Sequence, residues 1–177
     1  MSVIERSPRI DTRRLTLRAP VLDDAGRIAD LANDLDVARM TTRLPHPYLH
    51  EDAESFLTRM ADLDYRRDAV FVIDHEDEGP VGVIGLHSSG AFAPEIGYWL
   101  GRPYWGRGFA TEAAVAVLGW AKAERHCRAV VSGHFADNPA SGQVLVKCGF
   151  LYTGVIEPRH SIARGDIART RMMVWLA

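Results

Sequence analysis

Six residues ahead of an alanine-rich stretch, Gly106-Arg107-Gly108-Phe109-Ala110-Thr111, have the types and spacing to hold an anion. Glycine lets the main chain come close to a ligand. A helix starting here would aim its orphan N–H groups and the positive end of its dipole at one point. The dipole contributes about 0.3–1 kcal/mol per anionic contact and a hydrogen bond to a charged group roughly 1.5–3, so converging amides outweigh the charge of Arg107. The plainer alternative is a glycine turn that only leads into a helix. Two other phosphate loops fit less well. Gly106-x-Gly108-x-x-Thr111 lacks the third glycine of a dinucleotide fingerprint; Asp137 stands at a plausible later position, but several strands precede the loop and too little chain follows. No glycine is followed four residues later by the Gly-Lys-Ser/Thr of a nucleotide-hydrolase loop. Seven histidines include no HExxH or paired-ligand spacing, so no metal is expected, and His134 reads as a strand residue. Cys127 and Cys148 have no CxxC spacing and read as reduced and structural.

The elements that position this loop follow from periodicity. Leu15 to Arg18 alternates as a short strand, and Asp23/Asp24 offers an N-cap before the helical stripe Ile28, Leu31, Ala32 and Leu35. Pro45-His46-Pro47 breaks the chain, and Ala53, Phe56, Leu57 and Met60 form a second amphipathic helix. Strands at Val70–Asp74, Val81–Leu86 and Glu95–Leu100 have tight connections and suggest an antiparallel meander. Ala110, Ala113, Ala114, Val117, Leu118 and Ala121 then mark the central helix. After a strand at Ala129–Phe135, Asn138-Pro139-Ala140-Ser141 combines a cap with proline at the first helical position, and that helix stops at Gly149. Two strands, Leu151–Ile156 and Thr170–Leu176, close the chain. The expected class is α+β: a mixed, mostly antiparallel sheet of about seven strands flanked by about four helices, in one domain over residues 1–177 with its core at about 10–176.

Composition bounds the function classes. With 177 residues, 47% hydrophobic and 25% charged, the chain can bury a substantial core, and a net charge of -2 provides no footprint for a nucleic-acid backbone. No run approaches the roughly 18 apolar residues of a membrane helix, and Met1-Ser2-Val3-Ile4-Glu5-Arg6 lacks an apolar signal core. The expectation is a cytoplasmic protein with neither nucleic acid nor membrane as partner. A homodimer is left open by the sequence.

Three segments in this order, Glu95 to Leu100, Tyr104 to Ala113, and Asn138-Pro139-Ala140-Ser141 through Lys147-Cys148-Gly149-Phe150, resemble the GCN5-related N-acetyltransferases (GNAT), most of all their ribosomal-protein alanine acetyltransferase branch. The resemblance covers about residues 10–176. It implies acetyl-CoA as cosubstrate, no metal, and direct acetyl transfer to a primary amine, either a protein N-terminus or a small molecule. It also sets Gly106, Arg107, Gly108, Phe109, Ala110 and Thr111 against the coenzyme pyrophosphate. By the same resemblance the pantetheine arm runs past Trp99 and Leu100, where two strands splay, and touches Asn138, which is equally a good helix cap. Trp105 departs from the family, which has Gln or Arg there, so no side-chain role is carried over to it.

Such a transfer needs a neutral amine, a donor for the developing oxyanion and a proton for the departing thiolate. An α-amine of pKa near 8 is about one-tenth neutral at pH 7, a cost of about 1.4 kcal/mol, against roughly 4–5 for lysine. The resemblance makes Glu95 the candidate base, directly or through water, and puts Ser141 near the coenzyme sulfur as candidate acid. The blander readings are a strand-end carboxylate and a first-turn serine bonding local backbone. Tyr98 and Tyr152 are reserve acids. The segments Leu35–His50 and Pro158–Thr170 are expected to border the acceptor, and Arg159, Arg164 and Asp166 read as solvated charges. A non-catalytic acyl-CoA-binding or sensing module, and an interaction domain without coenzyme, are the competing functions.

Overall fold

The computed structural model describes residues 8–88 and 93–177. The run Ala69–His75, strand β3, is apolar almost throughout because both of its faces are covered: Phe71 and Ile73 pack toward one helical layer, Val70 and Val72 toward the other. Around it stand β1 (Ile10–Asp11), β2 (Leu15–Arg18), β4 (Gly79–His87), β5 (Glu95–Leu100), β6 (Ala129–Phe135), β7 (Leu151–Ser161) and β8 (Asp166–Leu176), joined in the order β1-β2-β3-β4-β5-β6-β8-β7. Every neighbouring pair is antiparallel except β5 and β6.

Among the described residues, five α-helices flank the sheet. Helices α1 (Ala25–Ala32) and α3 (His50–Ala61) pack Ile28, Ala32 and Leu57 on one face, with the one-turn α2 (Leu35–Ala38) between them in sequence. On the other face lie α4 (Phe109–Arg125), whose buried stripe is the expected one with Phe109 added, and α5 (Pro139–Lys147). Gly149, at φ 93°, follows the end of α5 as expected.

Among the described residues the expected pattern of about seven strands and four helices becomes eight and five, for local reasons. Two-residue β1 is too short to show a period. The stripe through Leu35 divides because Asp34 caps α2, accepting from the Asp36 N–H at 2.9 Å, while the Asn33 amide oxygen accepts from the Tyr48 N–H at 3.0 Å. Asp24, read as a cap, accepts from the Val21 N–H at 2.9 Å and is also held by Arg18 at 2.8 Å. The last two strands extend to Ser161 and back from Asp166, through polar residues in which no alternation was visible. Their ladder bulges between Tyr152 and Ile156, next to Gly154 at φ 82°.

The feature that matters for function is the parallel seam. Strands β5 and β6 share one ladder position, Glu95 opposite Val131, supported by Val131 N–H to Pro94 C=O at 2.9 Å and Ser132 Oγ to Ile96 C=O at 2.9 Å. Beyond Ile96 the strands part.

Candidate active site

Gly106 and Gly108 take φ values of 72° and 79°, in the left-handed region where glycine is favoured, and α4 begins at once with Phe109. Among the described residues, no acceptor takes the N–H groups of Arg107, Gly108, Phe109, Ala110 or Thr111, and the first amide in the helical ladder is that of Glu112, bonded to Gly108 C=O at 3.0 Å. The loop opens onto a groove of about 600 Å³ lined by Thr12, Gly108, Thr111, Glu112 and Lys147. The Phe109 side chain is buried in the core, with the guanidinium groups of Arg14 and Arg107 over its ring at 4.6 and 4.7 Å. Arg107 is tied to Glu78 at 2.8 Å. The main chain, rather than a free arginine, is what this loop offers to an anion.

What pins this helix start left no pattern in the sequence. Glu112 accepts from Thr12 Oγ1 at 2.7 Å, Arg14 N–H at 2.8 Å and Arg14 Nε at 2.7 Å, and Arg14 also donates to the Arg107 carbonyl at 3.0 Å. Burial pushes the Glu112 carboxyl up, but the bonds from Thr12 and Arg14 outweigh it and hold the group below its usual value. Partners about a hundred residues away leave no periodic trace.

Where β5 and β6 part, a second cleft of about 540 Å³ brings together Glu95, Tyr98, Trp99, Asn138, Ser141 and Arg159. Leu100 is not among its lining residues. The Leu100 side chain is in the core and its carbonyl accepts from the Trp105 indole at 2.8 Å, a contact that gives the half-exposed Trp105 a local structural role. Asn138 caps α5, its side-chain oxygen accepting from the Ser141 N–H at 3.2 Å, so the capping reading of Asn138 holds. Ser141 Oγ lies 3.0 Å from the Tyr98 hydroxyl. Burial pushes the Tyr98 phenol far above its usual value, with the bond to Ser141 acting the other way. Tyr152, on β7, bonds His134 at 2.9 Å and is partly exposed, so His134 is engaged by a phenol.

Two expectations are corrected. Arg159 is not a solvated charge: it pairs with both oxygens of Glu95, one of them at 3.2 Å, and with Glu157 at 3.1 Å. The bond to Glu95 is the main reason its guanidinium is held above its usual range. Arg164 pairs with Asp137 at 2.8 Å and donates to the Arg39 carbonyl at 2.6 Å. Asp166 is exposed, as read. Thr41 to Pro45, Arg159 and Thr170 line the cleft, within the two segments expected to border an acceptor. Both cysteines are free, and Cys148 is buried, where desolvation raises its thiol to about 11. Among the described residues no group of three or more metal-type ligands occurs, and no helix is long and apolar enough to cross a membrane.

A sheet parted at one parallel seam, with a glycine-led helix start beside it, defines a class of acyl-transfer folds, and comparison with known proteins agrees. The acetyltransferase (GNAT) domain model matches residues 14–151, and the chain belongs to that family of acetyltransferases. It is 26% identical over 149 residues to the uncharacterized N-acetyltransferase p20 of Bacillus licheniformis, covering 82% of this chain and 83% of that one. It is 32% identical over 93 residues, half of each chain, to a ribosomal-protein-serine acetyltransferase of Escherichia coli. Among solved structures, a microcin C7 self-immunity acetyltransferase in complex with acetyl-CoA and AMP superposes with a TM-score of 0.81 at 20% identity, covering 94% of each chain, and shares the fold.

Proposed function

We propose that this chain, acting as one catalytic domain, transfers acetyl from acetyl-CoA directly to a primary amine, either the α-amine of a protein N-terminus or that of a small molecule. The observation that carries this reading is the row of five unbonded amides at the start of α4, beside a sheet that opens at β5 and β6. Two openings, one at the phosphate loop and one at the parted strands, suit a ligand with a phosphorylated end and a long acyl arm. When bound, the coenzyme supplies an activated thioester carbonyl. The amides of residues 107–111 hold its pyrophosphate. Ser141, backed by the buried phenol of Tyr98, donates a proton to the thiolate as the C–S bond breaks and the N–C bond forms.

Glu95 takes the proton lost by the amine, directly or through water. Both of its oxygens already accept from Arg159, which fixes the carboxylate but leaves it a busy acceptor. That suits an α-amine, about one-tenth neutral unaided, better than a lysine side chain, whose deprotonation costs roughly 3 kcal/mol more.

The test is release of free coenzyme A from acetyl-CoA in the presence of N-terminal peptides and small amines, together with calorimetric binding of coenzyme A. Gly108→Val forces a branched side chain into the left-handed region at φ 79° and should weaken coenzyme binding about tenfold or more. Unchanged binding in that variant would remove the amide cradle. Glu95→Gln should depress kcat below neutral pH more than above it, and an unchanged pH profile would take Glu95 out of the reaction.

A further inference from the structure

We infer that the acceptor carries an anionic group beside its amine, a carboxylate or a phosphate, seated on the cleft wall built by Arg43, Tyr48 and Arg59. The inference rests on the transferase reading and names the chemical class of its acceptor.

The charges that line the cleft are Arg43, Arg59 and Arg159 against Asp52 and Glu95. Arg159 and Glu95 neutralise one another. Asp52 has one oxygen committed to the Leu49 N–H at 2.8 Å, at the first turn of α3, where the helix dipole offsets part of its charge. Arg43 and Arg59 have no carboxylate and no hydrogen-bond acceptor among the described residues, although carboxylates elsewhere on the chain are extensively paired. Their field is felt locally. Burial first and Arg43 second hold the His87 imidazole, another lining group, below its usual value.

Tyr48 adds an independent observation. The residue is only 5% exposed and lines this same cleft, yet its hydroxyl has no hydrogen-bond partner among the described residues. It is not sealed in either, since the sealed and unbonded side-chain polar atoms consist of Arg125 Nη1 alone among the described residues. A phenol largely buried yet open to the cleft, with no protein acceptor, has its donor available to a ligand. Burial, then Asp52, raises it to about 12, with Arg59 opposing, so near neutral pH it keeps its proton and can donate. Two guanidiniums and a phenol O–H lining one cleft supply the donors an oxyanion takes and disfavour a purely cationic amine.

The protein saturated with acetyl-CoA is offered an N-terminal peptide with glutamate at its second and third positions, the same peptide with glutamine there, phosphoethanolamine and spermidine. The expected result is kcat/KM about tenfold or more higher for the glutamate peptide than for its glutamine twin, with the gap shrinking as salt rises. Spermidine should be the poorest. Arg43→Glu and Arg59→Glu should each cut the glutamate peptide's advantage several-fold, acting on KM and sparing kcat, while Tyr48→Phe, which keeps the ring and the packing, should cut it less. A greater preference for phosphoethanolamine over ethanolamine than for glutamate over glutamine would identify the anion as phosphate. Equal rates for the peptide twins with no preference for phosphoethanolamine, or a preference for spermidine, would overturn the inference and leave the transferase reading intact. If no amine releases coenzyme A, the transferase reading fails by itself. Calorimetry of the peptide twins on the coenzyme A-saturated protein then decides the charge preference, and equal affinities overturn it.

Discussion

Two hydroxyls, on Tyr98 and Ser141, lie 3.0 Å apart, and the proposed transfer assigns them one task between them. Ser141 is close enough to share its proton, and Tyr98, desolvated, holds its own proton well into alkaline solution. General-acid assistance is worth about a hundredfold or more, so Ser141→Ala should lower kcat by about that factor with little change in KM. Tyr98→Phe should have a smaller effect, as steady-state kinetics would show. If Tyr98→Phe is the more damaging of the two, the roles are reversed. Stability at high pH belongs to the same scale. Tyr48 binds its proton more tightly folded, at about 12, than at the ordinary 10.0. Its contribution is therefore whole below pH 10.0 and is lost as pH rises through about 12, by a few kcal/mol at most. Urea midpoints followed through that window should fall less steeply in Tyr48→Phe. Glu95 and Ser141 were singled out through the family resemblance and Tyr98 as a reserve acid, and all three line the one cleft. Arg159 was invisible, because a charge in an irregular polar stretch looks solvated until a partner 64 residues away is brought to it.

At the scale of elements, helix α4 depends on its first turn being held against the β1–β2 turn. Glu112 does this through Thr12 and Arg14, and its carboxyl sits below the usual 4.5. A depressed carboxyl contributes stability above its unfolded value and loses it as pH falls through the folded one, so this anchor should weaken below about pH 4.5. Glu112→Ala should lower the melting temperature by a few degrees and weaken coenzyme A binding several-fold, measured by thermal shift and calorimetry. Intact coenzyme affinity in a destabilised variant would confine the anchor to stability. The legible elements were those with a strong period: α4 was recognised by its stripe, though it runs on to Arg125, and β6 and the strand at Glu95–Leu100 have the expected bounds. The hairpin of β7 and β8 was half read. Its outer part, with Glu157, Arg159 and Arg169, is held by backbone pairing rather than by an apolar face, and side-chain types do not report that.

For the whole molecule, the seam between β5 and β6 is where two neighbouring strands of the sheet share a single ladder position. One ladder position and one side-chain bond hold strands that continue apart, leaving main-chain groups of residues 97–100 without a sheet partner on that side. Amide exchange followed by mass spectrometry should find the segment past the ladder position faster than β3 and β4, and slowed by saturating coenzyme A. Equal protection with and without the coenzyme would mean that nothing enters between the strands.

The seam also divides the chain in one place. Strands β1 to β5 with helices α1 to α4 come from residues up to Arg125, and β6, α5, β7 and β8 from Ala129 onward, with His126 at φ 52° on the link. The two portions meet through Val130, Leu145, Phe150 and Met173 packed with the apolar stripe of α4, far more than through backbone pairing. A nick at the His126 corner would therefore separate two pieces whose mutual recognition is greasy and interlocking, so that they could be made apart and reassembled, with the scission lying outside either opening.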